Sequence, residues 1–200
     1  MPPDLSSAVI VWADAVHGNL RGPAPEARRE VSPARKRWES VRLEFLSAGG
    51  ATPLSHTYVQ NIMHIVYSTK DRRKLIPPDK KTRLWSYIGG ICKHENIFVH
   101  AVGGMEDHIH LLLQIPPTIA LAKAVLTVKT NSSRWMKEHV DDFAWQQGYG
   151  GFGVSKSNVP VVVRYIQNQE KHHAKMTFEE EFIGLLDRHG EPYDRKHVFG

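Results

Sequence analysis

The 200-residue chain has one cysteine, Cys92. It therefore holds no disulfide framework and no thiolate zinc cluster, and any metal must be held by histidine, carboxylate or amide donors. A reducing cytoplasm suits such a chain. No apolar run approaches the roughly 20 residues needed to span a bilayer. Residues 8–13 resemble the apolar centre of a secretion signal, but only Asp4 and no lysine or arginine precedes them, which excludes that reading. Internal repeats are also missing. Charge of one sign is in modest excess: 26 Lys and Arg stand against 21 Asp and Glu, for a net +5 and a pI near 9.3. That balance favours polyanionic partners such as nucleic acid without requiring one. With 41% hydrophobic and 24% charged residues, the chain reads as one globular domain with an appendage.

The appendage is residues 1–54. Pro2, Pro3, Pro23, Pro25 and Pro33, with Gly18, Gly22, Gly49 and Gly50, punctuate it, and only residues 38–46 offer a short, untidy amphipathic pattern. Composition predicts a largely disordered leader. Its 7 basic and 6 acidic residues nearly cancel, which is weak for a DNA-binding arm.

The domain expected over residues 55–200 begins with a strand over 58–68, rich in β-branched and aromatic residues. Lys70, Arg72 and Arg73 form a charged turn, either solvated or phosphate-contacting. Pro77-Pro78-Asp79 sets up a helix carrying Leu84, Ile88, Ile91 and Cys92. A strand over 97–102 turns through Gly103 and Gly104 into an apolar strand over 107–115. After Pro116-Pro117, Thr118 is placed to cap a second helix running to Met136, whose polar residues Lys129 and Arg134 suit a wet face or a DNA-facing one. The glycine- and aromatic-rich stretch 145–155 predicts a loop and a last strand over 152–155. This order of strand, helix, strand, strand, helix, strand predicts an α+β, ferredoxin-like or RRM-like antiparallel sheet with helices on one face.

Residues 107–115 are interrupted only by His108 and His110. Strand alternation puts these two imidazoles on one face, about 7 Å apart at roughly 3.3 Å per residue, while Ile109, Leu111 and Leu113 fill the other. The pair is expected on the open face of the sheet. Alone, a His-x-His is more often a hydrogen-bonded pair than a metal half-site. Downstream, Ser157 or Asn158 is placed to cap a helix with Pro160 in its first turn. On it Tyr165 and Gln169 lie four residues apart, one face of a single helix, followed by His172 and His173. Thr177 to Glu180 reads as a capping box for a last helix reaching Gly190. A phenol is a poor nucleophile at neutral pH, since its reference pKa is about 10. A divalent cation held by His108, His110 and the amide oxygen of Gln169 would neutralise a scissile phosphate and hold it in line. That donor set, with positions left open, suits Mg²⁺ or Mn²⁺.

The block His108-Ile109-His110-Leu111-Leu112-Leu113 resembles the histidine-hydrophobic-histidine motif of the single-tyrosine transposases that move small insertion sequences as single-stranded DNA. Residues 145–155 are similar to that family's glycine and aromatic block, and residues 165–173 resemble its nucleophile helix. The resemblance runs over about residues 55–198. It implies that His108, His110 and Gln169 bind the metal and that Tyr165 forms a 5′-phosphotyrosine, freeing a 3′-hydroxyl. It further implies a homodimer acting on hairpin-marked single-stranded DNA ends, in which the tyrosine helix can serve the partner's site, in a bacterial cytoplasm and at the nucleoid when DNA is bound. Lys70, Arg72, Arg73, Lys129 and Arg134 are candidate DNA contacts by their charge and placement alone. Gly153 departs from the family's more common serine. Residues 54–58, Leu-Ser-His-Thr-Tyr, resemble a family start with leucine for methionine, so the leader reads as the product of an upstream start codon. Three rival readings remain. A nucleotide hydrolase with a His-x-His-x-His strand would need a third histidine where Leu112 stands. A plain RNA-binding sheet would carry aromatics on its central strands. A domesticated relative, acting as a hairpin-specific nuclease or binding protein without mobility, would share the same site residues. Imidazoles buried under helices, or a phenol with no route to them in one or two subunits, would end the case for strand cutting.

Overall fold

The computed structural model describes residues 58–199, and the leader expected over 1–54 lies outside them. Strands β1 (Ile62–Ser68), β2 (Phe98–Gly104), β3 (His108–Gln114) and β4 (Gly150–Gly153) form one sheet in the order β2-β3-β1-β4. All three pairings are antiparallel. Helix α1 (Lys81–His94) joins β1 to β2, and α2 (Leu121–Lys137) joins β3 to β4, which completes the expected α+β, ferredoxin-like order. Three helices follow: α3 (Val159–Gln167), α4 (Gln169–His173) and α5 (Phe178–His189).

Alternation along the strands builds two unlike faces. Ile65 and Tyr67 of β1 and Ile109, Leu111 and Leu113 of β3 point to one side. There they bury Leu84, Trp85 and Ile88 of α1 and Val125 and Val128 of α2. The opposite face is not open, contrary to expectation. Ile62 and Leu112 are covered by Ile166 of α3, and Val66 and Phe152 by Phe178, Phe182 and Leu185 of α5. Once α1 and α2 occupy one side, the apolar stripes of α3 and α5 have only the other side on which to leave water. Gly150 makes the α5 contact feasible, because a Cβ there would lie 2.7 Å from the Phe182 ring.

Element ends depart from the pattern where local turns intervene. A 3₁₀ turn over Pro78–Lys80 precedes α1, so Asp79 is not its cap. α2 starts after Ala120 rather than at Thr118. β4 is formed by the glycines themselves, earlier than expected. α3 stops at Gln167, and Asn168, at φ −100° and ψ 20°, separates it from α4, so Tyr165 and Gln169 stand on two helices rather than one. The capping box of α5 is present, with the Thr177 hydroxyl accepting from the Glu180 amide and the Glu180 carboxylate accepting from the Thr177 amide.

The hairpin that aims β3 depends on Gly104, which has φ 148°. A Cβ there would fall 2.3 Å from the carbonyl oxygen of His108. Gly104→Ala is therefore expected to destabilise the domain by more than about 1 kcal/mol, read as a lower urea midpoint. An unchanged midpoint would show that the hairpin relaxes without cost.

Candidate metal and nucleophile site

Three imidazoles converge on one point, each anchored through Nδ1. His108 Nδ1 lies 2.6 Å from Asp107 Oδ1, and His110 Nδ1 lies 3.0 Å from Nε2 of His64 on β1. His173 Nδ1, on α4, donates to the Met176 carbonyl at 2.9 Å. With Nδ1 spent in this way, each ring presents Nε2 to the interior, the arrangement that orients histidine ligands in metal sites. His64, His108 and His110 share the same sheet face by register, since Val66 of β1 pairs with His110 and His64 pairs with Leu112.

Glu181 of α5 occupies the point of convergence. Its Oε2 lies 3.0 Å from His173 Nε2, 3.3 Å from His110 Nε2 and 3.8 Å from His108 Nε2. Its Oε1 accepts hydrogen bonds from the Tyr165 hydroxyl and, at 2.9 Å, from Gln169 Nε2. Gln169 turns its own Oε1 to within 3.4 Å of His108 Nε2. Its short helix is tied to α1 by the buried Lys81, whose Nζ meets Glu170 at 3.1 Å. Donor atoms of His108, His110, His173 and Glu181 all lie within 4.8 Å of one another. His110 Nε2 is buried and not aligned for a hydrogen bond with any group. An orphaned imidazole nitrogen facing a carboxylate and an amide oxygen fits a divalent ion.

The electrostatics are those of a closed site. Burial opposes charge on Glu181, but His110, His173 and Tyr165 around its oxygens outweigh that cost and hold the carboxyl well below its usual range. Burial, reinforced by the adjacent Glu181 carboxylate, pushes the Tyr165 phenol up. Burial also lowers His110, with Glu181 opposing. The phenol is thus held protonated until the charge around it changes.

The imidazoles expected on an open face are buried under α3, α4 and α5, which ends the case for strand cutting at an open sheet face. The covering helices are the ones that deliver Tyr165 and Gln169, so the phenol has its route to the imidazoles, through one carboxylate and within one chain. His64, His173 and Glu181 were missed. Glu181 had a signal: it falls in the apolar spacing Phe178, Glu181, Phe182, Leu185, where a carboxylate needs a reason. The cationic residues expected to touch DNA have mostly other partners. Arg72 pairs with Glu179 at 2.7 Å, Arg73 with Asp142 at 2.6 Å, and Lys129 donates to the carbonyls of Gln146 and Gly148. Lys70 and Arg134 are exposed and make no ion pair among the described residues.

The family profile described as "Transposase IS200 like" matches residues 57–169. This chain belongs to the IS200-like transposase family. Transposases for insertion sequence element IS200 from Salmonella typhimurium and Salmonella typhi are each 29% identical to this IS200-like chain over 129 residues, covering 60% of it and 84% of the relative. Among solved structures, a candidate transposase from Deinococcus radiodurans R1 is 23% identical with a TM-score of 0.47, covering 60% of this chain and 97% of its own. A REP-associated tyrosine transposase bound to a REP hairpin is 13% identical with the same TM-score of 0.47, covering 62% of this chain and 74% of its own. No helix of the described part of this IS200-like transposase is long and apolar enough to cross a membrane.

Burial above all, with the charge of His110 added, pushes His64 down from 6.5 to about 3. Its folded pKa lies below its unfolded one, so folding favours the neutral ring. The stability it contributes is full above pH about 6.5 and is lost as the pH falls toward about 3. In EDTA, the urea midpoint is expected to drop between about pH 7 and about pH 5, and His64→Gln should shrink that drop. An identical drop in the variant would remove His64 as the cause.

Proposed function

We propose that this transposase cuts and rejoins single-stranded DNA at hairpin-marked ends through a 5′-phosphotyrosine on Tyr165, with a divalent ion held by His108, His110 and Gln169. The observation that carries the reading is the position of Glu181, with the Tyr165 hydroxyl and Gln169 on one oxygen and three imidazoles around the other. Nucleophile and donor set thus face each other across the width of one carboxylate, a group whose charge and oxygen geometry approximate a phosphate's. His173 and Glu181 widen the donor set, and an added imidazole favours Mn²⁺ over Mg²⁺ more strongly than the two-histidine set does.

In the reaction, the Tyr165 oxygen forms a bond to phosphorus while the bond from phosphorus to the 3′ oxygen breaks. The phenolic proton passes to solvent water once Glu181 has moved aside, and the departing 3′ oxygen takes up a proton to become a hydroxyl. A divalent ion held by His108, His110 and Gln169 would neutralise the phosphate and favour in-line attack. Attack by another strand's 3′-hydroxyl reverses the step, with the bond energy kept in the covalent intermediate. Because Glu181 stands between phenol and imidazoles, strand entry requires it to yield its place. The expected homodimer is kept as part of this proposal, with each site built within one chain. Action at the nucleoid of a bacterial cytoplasm follows from the substrate.

With Mg²⁺ or Mn²⁺, a labelled single-stranded hairpin oligonucleotide is expected to leave a denaturation-resistant adduct, absent from Tyr165→Phe and reduced at least about 100-fold in His108→Ala or His110→Ala. An adduct that survives Tyr165→Phe would identify another nucleophile. Mixing Tyr165→Phe with His108→Ala protein should restore nothing. Restored cutting would mean that the tyrosine of one subunit serves the histidines of the other.

A further inference from the structure

A groove of about 610 Å³ opens beside Tyr165 and is lined by residues of one short stretch, 161–176. Arg164, Lys171 and Lys175 supply its charge, and Val161 and Met176 supply exposed apolar surface. No acidic side chain lines it. All three cations are exposed, and none makes an ion pair among the described residues, whereas Arg72, Arg73, Lys80 and Lys81 each have a carboxylate. On the other side of α4 a second groove of about 440 Å³ is lined by Glu106, Asp107 and Glu180 against Lys74 and Lys175. A polyanion approaching Tyr165 is attracted by the first groove and repelled by the second.

We infer that the groove of Arg164, Lys171 and Lys175 seats the sugar-phosphate backbone of the DNA segment that stays bonded to Tyr165 after cutting. This rests on the strand-cutting reading above. Attack by the phenol leaves the enzyme joined to the strand that carries the 5′-phosphate, while the strand ending in a 3′-hydroxyl is free to leave. The retained strand must be held through the interval before rejoining. Every residue of the seat lies on the stretch that carries the nucleophile, so seat and nucleophile travel together if α3 and α4 shift against the sheet. A positive groove with apolar patches, tracking a backbone, is the usual means of holding single strands without reading their sequence.

The test uses the full chain and two fluorescent oligo-dT probes, one with a 5′-phosphate and one ending in a 3′-hydroxyl with its 5′ end blocked by the dye. Binding is followed over a series of NaCl concentrations for wild type and for the triple variant Arg164→Gln, Lys171→Gln, Lys175→Gln. Each phosphate contact to a single strand contributes about 0.7 to the slope of log affinity on log salt, so loss of three contacts should flatten that slope by about 2. For the 5′-phosphorylated probe the expected result is that flattening with at least a tenfold loss of affinity, and a smaller loss for the other probe. A control triple variant, Lys93→Gln, Lys123→Gln, Lys137→Gln, should leave both slopes unchanged, and thermal melts should match wild type. An unchanged slope, or equal losses for both probes, overturns the seat. If wild type still forms its Tyr165 adduct in that case, strand cutting stands and the seat alone falls. If wild type forms no adduct, the cutting reading falls and takes the seat with it.

Discussion

A carboxylate buried between two layers is tolerable only when its oxygens are filled, and in this chain the filling of Glu181 organises the second half of the molecule. Glu181 is 3% exposed. An isolated charge at such a depth would cost far more than one helix could repay, so the partners must arrive together. They come from four elements: the imidazoles from β3 and α4, the amide from α4, the phenol from α3, and the carboxylate itself from α5. The helices α3 and α5 therefore each contribute one polar group to a shared centre and an apolar stripe to the packing around it, while the wholly polar α4 contributes two groups to the centre. Removing Glu181 would leave orphaned donors from three elements, whereas removing an apolar residue of α5 leaves only a gap.

The two sheet faces divide the labour. The face toward α1 and α2 is dry and apolar, and it fixes β1 and β3 in register. That register sets His64 beside His110, and Asp107, the residue before β3, fixes the tautomer of His108. The groups that anchor Nδ1 cost the site no freedom when a ligand enters, because they are held by strand geometry rather than by the ligand. The jointed side of the site is the other one. Asn168 interrupts the helix between Tyr165 and Gln169, and the capping box of α5 gives that helix an N-terminus that is stable on its own account. A floor of histidines under a jointed cover of helices suits the proposed reaction, in which a phosphate is admitted and later released.

The strands and the first two helices were legible because each is a run with a clear period: alternating or continuous apolar residues for β1 and β3, three-to-four spacing for α1 and α2. His108, His110, Tyr165 and Gln169 were legible as a constellation, each weak alone. The cover over the open face was not, although Val159, Val162, Val163 and Ile166 recur at helical spacing. Periodicity reports which residues leave water and says nothing of which surface receives them. Glu181 was hidden for the same reason, since a polar residue within an apolar stripe has a meaning only once the opposite surface is known. The break at Asn168 was invisible because asparagine is tolerated within helices and announces a turn only by its dihedral angles.

Burial of the imidazoles and strand cutting are reconciled by what buries them. A cover of plain hydrocarbon would seal the face for good, because no phosphate could replace the contacts it makes. Here the group nearest the imidazoles is an anion, which bonds a phenol, an amide and the His173 ring and faces the Nε2 atoms of His108 and His110. A phosphate ester offers the same charge and oxygens that accept from the same donors, so an incoming strand can take over each interaction that Glu181 gives up. The exchange is then of one anion for another, and its cost is the packing of α5 rather than the desolvation of a bare cluster. A divalent ion held by these residues would shift the balance further toward the phosphate, since it would add positive charge at the point that Glu181 now occupies. In the proposed reaction, the closed arrangement is a site holding its own substitute for substrate, with the Tyr165 phenol kept protonated until the substitution is made.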